Sequence, residues 1–164
     1  MGSTDFSGIT MVNQRALLLV NRHSRNGKQQ AEAVVEALQP FGFDLFEARI
    51  ESSKHLADAI RYHQDRVDLV IIGGGDGTLN GAIAALVETK LPLGILPLGT
   101  ANDLARTLSI PTDLSEACKI IGAGKTQAID LGWVNGHYFF NVASMGLSVQ
   151  ITRNLTKEVK RRWG

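Results

Sequence analysis

The chain has 164 residues, 44% of them hydrophobic and 20% charged, with a formal net charge of +1. That make-up fits a soluble globular domain, or one domain and the start of another; it excludes global disorder and offers no basic field to attract nucleic acid. The single cysteine, Cys118, excludes an intramolecular disulfide and a cysteine-rich metal site, and it fits a reducing, cytoplasmic setting. No apolar run approaches the roughly 20 residues that span a bilayer.

Residues 1–14 lack the basic start and apolar stretch of a signal peptide and read as a loose tail. Ala16–Val20 is short and wholly apolar, the signature of a strand buried on both faces. The polar loop NRHSRNGK follows, then Ala31, Val34, Val35 and Leu38 recur at helical spacing until Pro40 and Gly42 end the helix. Phe43–Ile50 reads as a second strand. Leu56, Ala59 and Ile60 mark a second helix, with Ser52 or Ser53 as N-cap. Leu69–Ile72 is the next buried strand and runs directly into GGGDGT, Gly73–Thr78.

Leu79, Ile83, Leu86 and Val87 then mark a third helix, and Leu93–Leu96 a fourth strand. PLGTAND leads into a helix near Asp103–Leu108. Asp113 and Glu116 form a capping-box pattern for a last helix with Leu114, Ala117, Cys118 and Ile121 on one face, stopped by Gly122 or Gly124. Short strands alternating with helices predict an α/β fold: an open, mostly parallel sheet with helices on both faces over residues 15–127. The pattern then changes. Gln127–Val134 and His137–Val142 read as strands joined by Asn135-Gly136, a strong hairpin signal. Two strands bury too little to stand alone, so residues 128–164 are expected to begin a truncated, β-rich second domain.

Ligands of open α/β sheets bind at the carboxyl ends of the strands. GGGDGT sits at such an end, where glycines admit a phosphate to the backbone and the next helix presents free N–H groups. Asp76 adds repulsion to bare anion binding and makes more sense beside a Mg²⁺ or a sugar hydroxyl. A loop carboxylate contributes little to a core, so Asp76→Ala is expected to spare the fold. Pro97–Arg106 belongs at the same edge, with Thr100 as a hydroxyl and Asn102 and Asp103 as caps or ligand contacts. The loop after the first strand supplies Asn21, Ser24 and Gly27, made basic by Arg22, Arg25 and Lys28. The spacing is neither a Rossmann fingerprint nor a P-loop, and Gly124-Lys125-Thr126 is a decoy because it precedes a strand.

GGGDGTLN followed by LGTANDLAR resembles the diacylglycerol kinase catalytic family, in particular its bacterial lipid-kinase branch. NRHSRNGK is similar to that family's first nucleotide loop, and DLGWVNGHYFFNVASMG to its crossing into a second domain. The resemblance covers about Ala16 to Gly146 and implies a two-domain lipid kinase that passes the γ-phosphate of ATP, with Mg²⁺, to a lipid hydroxyl such as that of diacylglycerol. It implies that Asn21 and Ser24 approach the nucleotide, that Gly74, Gly75, Asp76, Gly77 and Thr78 hold its phosphates and ribose region, and that Asn80 and Thr100 complete the pocket. A hydroxyl after the second strand also belongs to the family's ATP site; Ser52 and Ser53 are nearest, and Ser53 is the expected contact.

Two departures stand out: Arg22 where the family often has proline, with two extra residues before Gly27, and Gly81 where bacterial members often have glutamate. The family's general base and Mg²⁺ ligands belong to the second domain and find no match after Gly146, so this chain alone is expected to be inactive. A cytoplasmic protein that visits the inner membrane face fits the resemblance, and a homodimer is compatible with it. Lys157, Lys160, Arg161 and Arg162 could attract anionic headgroups, though a solvated helix start is the simpler reading. Two alternatives stay open: an NAD-kinase-like enzyme, and a nucleotide-sensing module without transfer chemistry.

Overall fold

A computed structural model describes residues 13–20, 27–50 and 52–140, with residues 28, 49 and 53 described by their backbone alone. Four strands, β1 (Arg15–Val20), β2 (Asp44–Arg49), β3 (Leu69–Gly74) and β4 (Leu93–Pro97), form one sheet in the order β2-β1-β3-β4. Every pairing is parallel, with Val20 level with Gly73 and Gly73 level with Leu96. Parallel neighbours need crossovers, and three helices supply them: α1 (Gly27–Leu38), α2 (Ser53–His63) and α3 (Asp76–Thr89); α4 (Asp103–Thr107) and α5 (Leu114–Gly122) follow the last of the four strands.

Burial on both faces explains the unbroken apolar runs. Ala16, Leu18 and Val20 of β1 join Leu69, Ile71 and Leu96 in a core closed by α1 and α5 through Val34, Leu38, Ala117 and Cys118. The alternate residues Leu17, Leu19, Val70 and Ile72 are equally buried and face the opposite side, where α2 and α3 pack on each other. Arg61 of α2 bonds Glu88 of α3 at 2.8 Å across that layer. Gly94 lets α5 sit close to β4: a Cβ there would lie 3.1 Å from Ile121 Cδ1.

The caps follow the sequence. The Ser52 hydroxyl accepts the His55 N–H, and the Asp113 carboxylate accepts the Glu116 N–H. After α1 a 3₁₀ turn, Gln39–Phe41, ends at Gly42 with φ of 70°. Strand β2 forms one edge of the sheet and exposes Asp44 and Glu47, while the Arg66 guanidinium lies 5.4 Å from the centre of the half-buried Phe46 ring.

The described residues up to Asp130 form one compact unit, and those from Leu131 belong to a second. In the second, β5 (Gly132–Val134) and β6 (His137–Phe139) pair antiparallel across Asn135 and Gly136, whose φ values are 48° and 82°. The hairpin forms at the expected Asn-Gly turn, but its first strand is much shorter than the expected Gln127–Val134. Among the described residues, 127–131 have no partner strand, and an unpaired segment cannot count as sheet. Val142, the expected end of the second strand, lies outside the described residues.

Candidate functional site

The strand order reverses direction at β1: the chain moves from β1 to β2 on one side, then to β3 and β4 on the other. The carboxyl ends of β1 and β3 therefore flank the crevice where ligands of such sheets bind. The loop after β1, with Asn21 and Ser24, lies outside the described residues. The loops after β3 and β4 are described in full and form one assembly.

Close packing accounts for most of the glycines. A Cβ on Gly73 would lie 2.8 Å from Leu98 Cδ1, and one on Gly74 would lie 2.8 Å from the Thr78 side chain. Gly75 and Gly99 touch backbone to backbone: a Cβ on Gly99 would stand 2.4 Å from Gly75 Cα and 2.9 Å from Gly75 N. Packing thus leaves little room for a side chain at 73, 74 and 75: a Cβ would displace the Leu98 tip at 73, crowd Thr78 at 74 and lie 3.1 Å from Gly99 Cα at 75. Gly77 differs. Apart from its chain neighbours and its own helix backbone, no heavy atom lies within 4 Å of the Cβ it lacks, and it is exposed in the first turn of α3.

Asp76 begins α3, but its carboxylate serves another helix. Its Oδ2 accepts the N–H of Asp103 and its Oδ1 the N–H of Leu104, each at 3.0 Å. These are orphan donors of the first turn of α4, so Asp76 caps that helix from 27 residues away in sequence. Partial burial pushes its pKa up, but the N–H groups of Leu104 and Asp103 outweigh this and hold the carboxyl below the usual carboxylate range. The expectation that Asp76 is dispensable to the fold is therefore corrected. Among the described residues no three His, Cys, Asp or Glu side chains gather to hold a metal ion, and both Asp76 oxygens already accept hydrogen bonds. Each oxygen keeps a further lone pair, so the bonds to α4 orient the carboxylate without using up its acceptor capacity.

Asn102 occupies the N-cap position of α4 without capping it. Its φ and ψ are 52° and 43°, and its side chain turns back into the preceding loop. There Oδ1 accepts the Gly99 N–H at 3.0 Å, while Nδ2 donates to Gly99 O at 2.8 Å and Pro97 O at 3.3 Å. Thr100 and Ala101 are exposed at the tip of this loop.

The other residues singled out from sequence are divided. Thr78 is half-buried with its side chain over Gly74, directed toward the end of β3. Asn80 is exposed on α3, three residues on from Gly77 and so on the same side of the helix. Ser53 opens α2, its side chain outside the described residues; the cap of that helix is Ser52. The structure thus brings Gly75 and Asp76 into one assembly with Gly99, Asn102 and α4. The contact from Asp76 to α4 was not legible in advance, since the only signal was a carboxylate among glycines.

An open parallel sheet with glycine-bearing loops packed together at its carboxyl edge defines an α/β class whose ligands bind at that edge. Residues 15–134 match the model of the diacylglycerol kinase catalytic domain, and the chain belongs to that family. It is 40% identical over 156 residues to a Klebsiella pneumoniae protein described as "probable lipid kinase YegS-like", covering 91% of this chain and 51% of the relative. A Yersinia enterocolitica protein of the same description is 38% identical over 152 residues, covering 87% and 50%. The crystal structure of a diacylglycerol kinase from Bacillus anthracis strain Sterne superposes with a TM-score of 0.69 at 26% identity, covering 88% of this chain and 51% of that one. The chain spans about half the length of the curated relatives it matches.

Proposed function

We propose that this chain is the nucleotide-binding portion of a lipid kinase that transfers the γ-phosphate of ATP to a lipid hydroxyl, with diacylglycerol as the first substrate to try. One observation carries the reading. Gly77 is the glycine of the Gly73–Thr78 loop whose missing side chain has open space around it, so packing gives no reason for glycine there. An exposed helix start without a side chain is what a phosphate needs to reach backbone N–H groups at the positive end of the helix dipole.

In this reading the start of α3 holds the phosphates, and Thr100 and Asn80 contact the nucleotide from either side. The family resemblance adds Asn21 and Ser24, outside the described residues, as further nucleotide contacts. Magnesium, carried largely by the phosphates themselves, neutralises their charge. A carboxylate outside the described residues takes the proton of the lipid hydroxyl, and the lipid is met at a membrane surface. No helix among the described residues is long and apolar enough to cross a membrane, which is compatible with peripheral attachment.

The test is a calorimetric titration with Mg-ATP, carried to millimolar ligand, of the wild-type chain and of Gly77→Ala. Saturable binding by wild type and at least tenfold weaker binding by a fully folded Gly77→Ala are expected. Equal affinity in the two proteins would remove the start of α3 from the site.

A further inference from the structure

We infer that Asn102 is a positioning residue of this nucleotide site: it fixes the shape of the loop that carries Thr100 and holds it against the loop that opens α3. The inference rests on the nucleotide reading above.

Asn102 is 5% exposed, the sole buried polar residue among the described residues. Its amide has two N–H donors and a carbonyl acceptor, and all are engaged within the five residues before it. None of these bonds supports α4, because Asp76 already satisfies the N–H groups of Asp103 and Leu104. The side chain therefore acts on the loop alone. It ties Pro97, at the end of β4, to both polar groups of Gly99, and leaves Thr100 and Ala101 as a short exposed arch between fixed ends.

The backbone of Asn102 completes the arrangement. Its left-handed conformation, φ 52°, is one that asparagine tolerates better than most residues. That turn brings the next two N–H groups to Asp76. The same geometry presses Gly99 onto Gly75, where a side chain on Gly99 would meet Asn102 Oδ1 at 2.8 Å and Gly75 Cα at 2.4 Å. A loop held at both ends needs no ordering when a ligand arrives, so less binding energy is lost.

Asn102→Gly separates the two contributions, since glycine keeps the left-handed backbone and deletes the side-chain bonds. Asn102→Asp keeps the left-handed preference and the acceptor for Gly99 N–H, and loses both donors. Thermal melts, amide hydrogen exchange and calorimetric titration with Mg-ATP are run on the full chain for both variants and wild type. In Asn102→Gly we expect Gly99 amide exchange to quicken at least tenfold and the Mg-ATP dissociation constant to rise about tenfold, the equivalent of one hydrogen bond. Asn102→Asp should fall between it and wild type, and carries the test if the glycine variant does not fold.

A role confined to stability would lower the melting temperature and leave both Gly99 exchange and the affinity of the folded protein at wild-type values, which overturns the inference. Wild type that binds Mg-ATP beside a folded variant that binds equally well overturns the inference and leaves the functional reading standing. Wild type that fails to bind up to millimolar Mg-ATP overturns the functional reading, and with it the site that Asn102 is held to position.

Discussion

Asp76→Ala is the perturbation whose outcome the structure fixes most tightly. The substitution removes both acceptors for the first turn of α4 and exposes the N–H groups of Asp103 and Leu104 to whatever water can reach them. Replacing a capping residue by alanine costs about 0.5–2 kcal/mol, and the favourable meeting of a carboxylate with the helix dipole adds roughly 0.3–1 kcal/mol. A loss of about 1–3 kcal/mol is expected, a large fraction of a typical total of about 5–15 kcal/mol. In urea, where the slope is about 1–3 kcal/mol per molar, this lowers the unfolding midpoint by about 1 M with an unchanged slope.

The effect depends on pH with a definite sign. The folded-state pKa of Asp76 lies below its unfolded value, so its contribution is fully present above the ordinary carboxylate range and is lost as pH falls through the folded pKa. Wild type and Asp76→Ala should therefore converge in stability under strongly acidic conditions and differ fully at pH 7. Asp76→Asn, which retains one acceptor, belongs between them. Equal midpoints for wild type and Asp76→Ala at pH 7 would refute the view of Asp76 as the cap of α4.

Gly99→Ala should be severe despite its small size and exposed position, because its Cβ would overlap Gly75 Cα at 2.4 Å. A drop in melting temperature of at least 5 °C, about 1 kcal/mol or more, is the expected reading, and a melt like that of wild type would show that the two loops can part freely. Cys118 is buried, and burial, reinforced by Asp113, pushes its thiol up to about 11. Iodoacetamide at pH 8 should label it only after unfolding in denaturant, as followed by mass spectrometry; rapid labelling of native protein would mean that α5 opens readily.

Local pattern carried the fold and long-range contact did not show. Ala16–Val20 and Leu69–Ile72 read as buried strands because a parallel sheet covered on both faces allows no polar alternation, and the structure buries all of them. Asp113, and one of Ser52 and Ser53, could be read as caps because a cap acts on a backbone N–H three residues away; the structure makes the second cap Ser52. Asp76 does the same chemistry across 27 residues, so nothing beside it in sequence reveals the partner. Asn102 stood where a cap belongs, and only its left-handed backbone shows that its amide faces the loop. The glycines were legible as a loop, but packing against Leu98, Thr78 and Gly99 is a tertiary fact. That packing separates Gly77 from its neighbours.

The charged border formed by β2 also governs how this domain meets copies of itself. An edge strand offers a row of unpaired backbone groups, the template on which sheets of different molecules fuse. Here Asp44 and Glu47 stand exposed along that row, and a guanidinium covers the strand's aromatic ring. A second molecule approaching in register to extend the sheet would set like charges side by side and have to strip water from them. Crowding should thus leave this border solvated, without the sheets of neighbouring molecules growing into one another.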